Sequence, residues 1–234
     1  MTITMLILMA IFVGYWVAPY AIKVVLARQS LRRIRRSQAV CLTFDDGPDP
    51  RSTPRILELL HGAGASATFF MLGRQAALHP QIVRQIIAYG HEIGEHGFAH
   101  RHAWRTDPIR YAVDLGRGRL ALDQLVAKQR SRLFRPAFGE INLLTLLYLI
   151  CGRRRMVMWD LNPRDFDAAS AADVASRVAN EMGPGSVVLL HDGRAGATSD
   201  PAVTIDAVRM ILELAEQRGL RLLSVSQALA HADS

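Results

Sequence analysis

Residues 43–48 read Thr43-Phe44-Asp45-Asp46-Gly47-Pro48, so two adjacent carboxylates stand where an apolar run meets a chain breaker. Acids at the end of a buried strand are costly unless something pairs with them, and a metal cation is one such partner. A cation would also let the two acids divide their roles. Alone, Asp-Asp-Gly-Pro is ordinary turn composition. Three histidines change its weight. His96 and His100 are four residues apart. On a helical turn that spacing aims both imidazoles the same way, and with one carboxylate they make a ligand set for a catalytic divalent metal. His191 ends another apolar run, where a histidine can serve as general acid near neutral pH. Arg135, in Phe134-Arg135-Pro136-Ala137-Phe138-Gly139, could orient a carboxylate or hold substrate. His91 and His102 flank the histidine pair and read as surface or supporting side chains.

These groups need a scaffold that gathers them. From Val40 onward the chain alternates between short apolar runs and helical periodicity. Strands are expected at 39–44, 66–72, 92–96, 132–134, 156–159, 186–190 and 220–225. Helices are expected at 53–61, 80–89, 107–128, 142–151, 171–182 and 201–218. Gly116 and Gly118 weaken the third of these helices. About seven alternations imply a parallel sheet covered by helices. The absence of a glycine-rich phosphate loop favours a closed or distorted barrel over an open dinucleotide-binding sheet. Each chemically notable cluster then falls at the C-terminal end of a strand, where such a barrel builds its site.

The bulk properties locate the fold. With 234 residues, half of them hydrophobic, one full core can be buried. The net charge of +7 is concentrated. Residues 1–38 hold Lys23, Arg28, Arg32, Arg33, Arg35 and Arg36 and no acid, and the remainder is nearly neutral. That pattern fits an anionic lipid surface beside a membrane helix and argues against nucleic acid as a partner. Ile3–Ile22 is twenty residues without a formal charge, roughly 30 Å of helix and enough for a bilayer core. A cleaved signal peptide competes, but no basic residue precedes the run. The chain divides into a transmembrane anchor at 1–27, a basic juxtamembrane linker at 28–38 and a catalytic domain at 39–234. Of two cysteines, Cys41 lies in the first strand and reads as a free buried thiol.

Together the motifs resemble the NodB-type polysaccharide deacetylases of carbohydrate esterase family 4, over roughly residues 38–230. Thr43–Pro48 matches the family's first motif in full, and Ala67-Thr68-Phe69-Phe70 resembles its second-strand signature. The resemblance implies a distorted (β/α)7 barrel, here preceded by a transmembrane helix. It assigns Asp46, His96 and His100 to one divalent metal, zinc first, with cobalt, manganese or nickel as alternatives. It makes Asp45 the general base and His191 the general acid. The backbone N–H of Phe138 would help hold the oxyanion, Leu189 would line the pocket for the acyl methyl, and Arg135 and Asp165 would orient the base and the acid. The chain departs from the pattern at Gly97, Ala137, Phe138 and Phe166. Gly97 removes a loop-stabilising hydroxyl, and the other three fall on the pocket wall, where they point to altered substrate choice.

The implied activity is removal of an N-acyl group, acetyl foremost, from an amino sugar of an envelope polysaccharide or a lipid-linked saccharide. A silent glycan-binding protein on the same fold is the rival of another class, and a deacylase of a non-sugar amide is a rival in substrate. A silent relative would be expected to lack Asp45 or His191, and both are present. The positive flank places the body on the cytoplasmic side of the membrane, whereas the resemblance favours the outside.

Overall fold

The computed structural model describes residues 3–126, 131–193 and 200–232. Helix α1 (Ile3–Phe12) passes through a π-helical turn at Val13–Val17 into α2 (Ala18–Arg36). Pro19 accounts for the turn, because its ring displaces the carbonyl one turn back and removes a helical donor. There follow β1 (Cys41–Asp45), α3 (Thr53–Gly62), β2 (Thr68–Met71), α4 (Gly73–Leu78), α5 (Pro80–Ala88), β3 (Glu92–Glu95) and α6 (Pro108–Val126). Then come β4 (Leu133–Phe134), a 3-10 turn at Ala137–Gly139, α7 (Leu143–Cys151), β5 (Arg155–Met156), α8 (Ala171–Glu181), β6 (Val187–His191), α9 (Pro201–Gln217) and α10 (Val225–Ala232).

Among the described residues, six strands form one sheet in the order β5-β4-β3-β2-β1-β6, with every neighbouring pair parallel. All five residues of β1 are buried, as expected of a parallel strand covered on both faces. Its polar Thr43 is satisfied by donating to the Val188 carbonyl at 2.6 Å. One core layer joins Leu42, Phe44, Phe69 and Val188 to the apolar sides of α3, α5, α8 and α9. A second joins Cys41, Phe70, Val157 and Val187 to α10 and to Ile34 of α2.

The expected elements are present with three differences. The seventh strand is reduced to a single bridge between Val40 and Leu222, so the barrel is a curled, open one. Ser224 and Gln227 cap one another's backbone N–H groups, and this capping box starts α10 at Val225 and ends the extended run. The fifth strand stops at Met156, although Val157 N–H still reaches the Phe134 carbonyl at 3.0 Å. Lys128, the expected end of the long helix, lies outside the described residues.

The third difference concerns residues 28–38, expected to be a linker. They are helical through Arg36. Ser30 and Ile34, one turn apart, face inward while the arginines point out. Ser30 Oγ donates to the Met156 carbonyl at 3.0 Å, and Ile34 is fully buried. Burying one such side chain contributes about 1.5–3 kcal/mol. The basic composition belongs to the solvent side of a packed helix. Cys41 is a free buried thiol, as expected, and Cys151 is free and exposed.

Candidate active site

The strand ends converge on one cleft. Asp45 closes β1 and is directly opposite His191, which closes β6. Glu95 closes β3 opposite Phe134 of β4, so the next residues, His96 and Arg135, leave the sheet side by side. Beyond β1 the chain turns sharply. Asp46 has φ +73°, and the Gly47–Pro48 peptide is cis. Gly47 and Gly193 are required by contact: a Cβ on Gly47 would collide with the Asp192 carboxylate, and one on Gly193 with the Asp46 backbone. His100 and Phe138 also lie in the left-handed region, with φ +53° and +57°. Three site residues therefore hold an unusual backbone conformation, as functional positions often do.

Asp46, His96 and His100 each present one ligand atom, all within 4.8 Å of one another. The two histidines do not share a helical turn as expected; a loop reversal through Gly97, φ +81°, brings them together. Their Nε2 atoms lie 3.5 Å and 3.3 Å from Asp46 Oδ1. His96 Nδ1 is 2.7 Å from the Arg135 carbonyl, an acceptor only, so Nδ1 carries the proton and Nε2 keeps its lone pair. Burial lowers His96 and, with the neighbouring imidazoles, takes His100 down to about 3. Both rings are neutral donors. Asp46 Oδ1 is buried and finds no hydrogen-bond partner among the described residues. Burial pushes its carboxyl up to about 8, the nearby His191 opposing and Asp45 adding. A carboxylate held out of water without a partner, facing two neutral imidazoles, fits a divalent cation of the zinc class.

The other two expected chemical groups are already paired. Asp45 Oδ1 accepts from Arg135 Nη1 at 2.8 Å. Arg135 is fully buried, and it also donates to Thr43 Oγ1 and to the Val157 and Met158 carbonyls. His191 Nδ1 is 2.8 Å from Asp165 Oδ1 and therefore donates to it. Asp165 Oδ2 accepts from the His191 N–H at 2.8 Å and from Thr204 Oγ1 at 2.9 Å. Burial alone would lower His191, but the Asp165 carboxylate outweighs it and, with Asp45 and Asp46, raises it to about 9.

The cleft has a volume of about 590 Å³, and Phe138, Trp159, Phe166 and Leu189 form its apolar wall around these groups. Phe138 packs over the His100 ring and stacks on His102 at 3.5 Å between centroids. His102 is in turn paired with Glu140 at 3.1 Å. It thus supports the cleft wall. His91 is neither at the surface nor near the site: it is buried at the start of β3 against Phe69, and burial takes it down to about 4.

Three residues outside the expected set hold the loop and turn. Asp114 accepts from the Phe98 and Ala99 N–H groups at 3.0 Å and 3.1 Å, tying the His96–His100 loop to α6. It supplies the fastening that the missing hydroxyl at position 97 would give. Gly118 lets α6 approach that loop, since a Cβ there would strike the Gly97 carbonyl. Asp192 accepts from Thr53 Oγ1 at 2.6 Å under the Gly47 turn. A glycine in mid-helix and an acid four residues before it were the only signals for the α6 fastening.

A family model described as polysaccharide deacetylase matches residues 32–150. A peptidoglycan-N-acetylglucosamine deacetylase of Bacillus cereus is 33% identical over 194 residues, covering 82% of this chain and 88% of that protein. A chitooligosaccharide deacetylase of Azorhizobium caulinodans is 30% identical over 205 residues, covering 83% of this chain and 96% of that protein. The solved peptidoglycan deacetylase PdaC of Bacillus subtilis superposes with a TM-score of 0.74 at 27% identity, over 84% of this chain and 92% of that one. The match in sequence, the shared half-barrel and the grouped Asp46, His96 and His100 agree, and the chain belongs to the polysaccharide deacetylase family.

Proposed function

We propose that the protein removes an N-acyl group, acetyl foremost, from an amino sugar of an envelope glycan or a lipid-linked saccharide. One observation carries the reading: a cation-ready triad shares one cleft with Asp45 and His191, each held by a buried partner. The named relatives act on peptidoglycan and chitooligosaccharide, which supports an N-acetylated sugar as the substrate class. A zinc-class cation on Asp46, His96 and His100 would supply Lewis-acid polarisation of the acyl carbonyl and a more acidic water.

The chain's own residues do the rest. Arg135 engages Asp45 Oδ1 and leaves Oδ2 facing the site, where it accepts a proton from the attacking water. The water oxygen bonds to the acyl carbon. The developing oxyanion is held in part by the Phe138 N–H, at a backbone bent to φ +57°. His191, its Nδ1 fixed by Asp165, gives the Nε2 proton to the departing amine as the C–N bond breaks. Leu189 and Phe166 enclose the acyl methyl.

The test is acetate and formate release by the full chain, loaded with zinc, from N-acylated glucosamine oligomers and lipid-linked amino sugars. Release from at least one is expected. A protein that binds zinc yet releases no acid from any of them would be a silent binder, and the reading would fall.

A further inference from the structure

The N-terminal helix, Ile3–Arg36, is long and apolar enough to cross a membrane. The segment that should lie in lipid is also the segment the domain touches. Tyr15 Oη accepts from Asn142 Nδ2 at 3.2 Å, and Tyr20 lies against Trp104 at 6.2 Å between ring centroids. Phe12, Trp16, Val17, Tyr20 and Trp104 line a groove of about 600 Å³ without a charged group. The helix residues of both sets fall within the uncharged stretch that ends at Ile22. One stretch of helix therefore carries lipid exposure and domain contact together.

The domain surface beside it is apolar as well. Helix α7 reads Leu-Leu-Thr-Leu-Leu-Tyr-Leu-Ile-Cys, with no charge. Its Thr145, Leu146 and Leu149 are buried, yet Leu143, Leu147 and Ile150, at i, i+4 and i+7, form an exposed row, Ile150 at 72%. A helix apolar on both sides is buried on both sides. The α7 N-cap, Asn142, is the residue bonded to Tyr15, and Ile150 shares a groove with Leu26 and Arg33 of α2, so α7 lies alongside the helix. Lys23, the first charge after the apolar stretch, sits beside Gly139, which lines the catalytic cleft. A lysine in that position marks the headgroup level.

We propose that the face formed by Trp104, Leu143 and Leu147 docks on the bilayer beside the N-terminal helix, so that the cleft opens in the headgroup layer and receives an N-acyl saccharide carried on a membrane lipid. The proposal rests on the helix lying in the membrane and, for the substrate, on the deacylase reading. Continuity with the apolar helix commits the face to lipid.

The test uses the full chain in vesicles of equal parts phosphatidylcholine and phosphatidylglycerol, with Cys151→Ser removing the exposed thiol. Nitroxides are placed at Leu147→Cys, at Leu8→Cys, or at Glu213→Cys on the exposed side of α9. Collision with oxygen is compared with collision with a water-soluble nickel chelate. Oxygen preference at positions 147 and 8, and nickel preference at 213, is the expected result. Nickel preference at 147 with oxygen preference at 8 overturns the docking and leaves the helix in lipid. Nickel preference at both overturns the docking together with the membrane reading of the helix. Trp104 gives a second readout that leaves α7 intact: with Trp16→Phe and Trp159→Phe, brominated phosphatidylcholine should quench it, and an unquenched Trp104 overturns the docking. Leu147→Asp should lower kcat/KM about tenfold for lipid-linked N-acetylglucosamine in these vesicles and leave that for soluble tetra-N-acetylchitotetraose unchanged. An equal loss on both substrates overturns the substrate half. No turnover of either by the unaltered protein counts against the deacylase reading, while the labels still decide the docking.

Discussion

The two flanks of the cleft are built on opposite rules. On one, each side chain is held from behind by a buried partner: Arg135 engages Asp45 Oδ1, and Asp165 engages the His191 ring and backbone through two oxygens. On the other, Asp46 Oδ1 has no hydrogen-bond partner among the described residues, and His96 and His100 offer bare lone pairs. Asp45 and Asp46 are adjacent in sequence and almost equally buried, so burial does not separate them. Partners do. The guanidinium that reaches Asp45 does not reach Asp46, and the chain leaves the second acid to a ligand from outside. A satisfied flank is preorganised for proton transfer, whereas an unsatisfied one is a receptor for charge.

Removing each of the two acids in turn tests this division most severely. Asp45→Ala should lower turnover about a thousandfold or more and keep the cation, while Asp46→Ala should lose both. Metal content by mass spectrometry beside a turnover assay reads it, and loss of metal in Asp45→Ala would mean the roles are reversed. Next in size, Asp165→Asn should lower the His191 pKa from about 9, followed by imidazole proton resonances in chelator-treated protein. Because Asp165 holds that pKa raised to about 9, its stabilising effect is full below pH 6.5 and is lost as pH rises through about 9. The variant should lack this decline.

Gly193→Ala attacks the receptor flank through its backbone. The added Cβ meets the Asp46 main chain, so we expect a loss of about 1–3 kcal/mol in denaturant unfolding together with weaker zinc binding. Unchanged zinc affinity would mean the turn has slack. The smallest effect is a proton count. Metal-free Asp46 holds its proton up to about pH 8, and the two imidazoles are already neutral, so zinc binding near neutral pH should release close to one proton. Calorimetry in buffers of different ionisation enthalpy measures it, and release of two would point to a protonated histidine. In the same protein, stability should fall as pH rises from 3.8 toward 8, and zinc should reverse the fall.

Much of the site was legible because its residues sit next to strand ends, and strand ends are visible as apolar runs that stop. Asp45, Asp46, His96, Arg135 and His191 all have that address. The fastening of the His96–His100 loop was not legible, since Asp114 and Gly118 act across a helix–loop contact that no local pattern records. The arginines at 28–36 concealed a packed helix, because composition averages a wet side and a buried side. The Ser224–Gln227 capping box was available in the sequence and outweighs the β-propensity of the Leu220–Val225 run. His91 was misplaced because a histidine's burial depends on tertiary neighbours, here Phe69 and the Ala67 N–H.

The unbroken passage of the N-terminal helix into the core, with Ser30 and Ile34 locked against the sheet, has a kinetic meaning. A domain on a floppy tether sweeps a hemisphere and meets targets at many heights. This one has no play. With its apolar segment seated in a bilayer, the domain would stand at a fixed altitude and bearing, and a lipid-borne substrate would reach it by lateral diffusion in two dimensions.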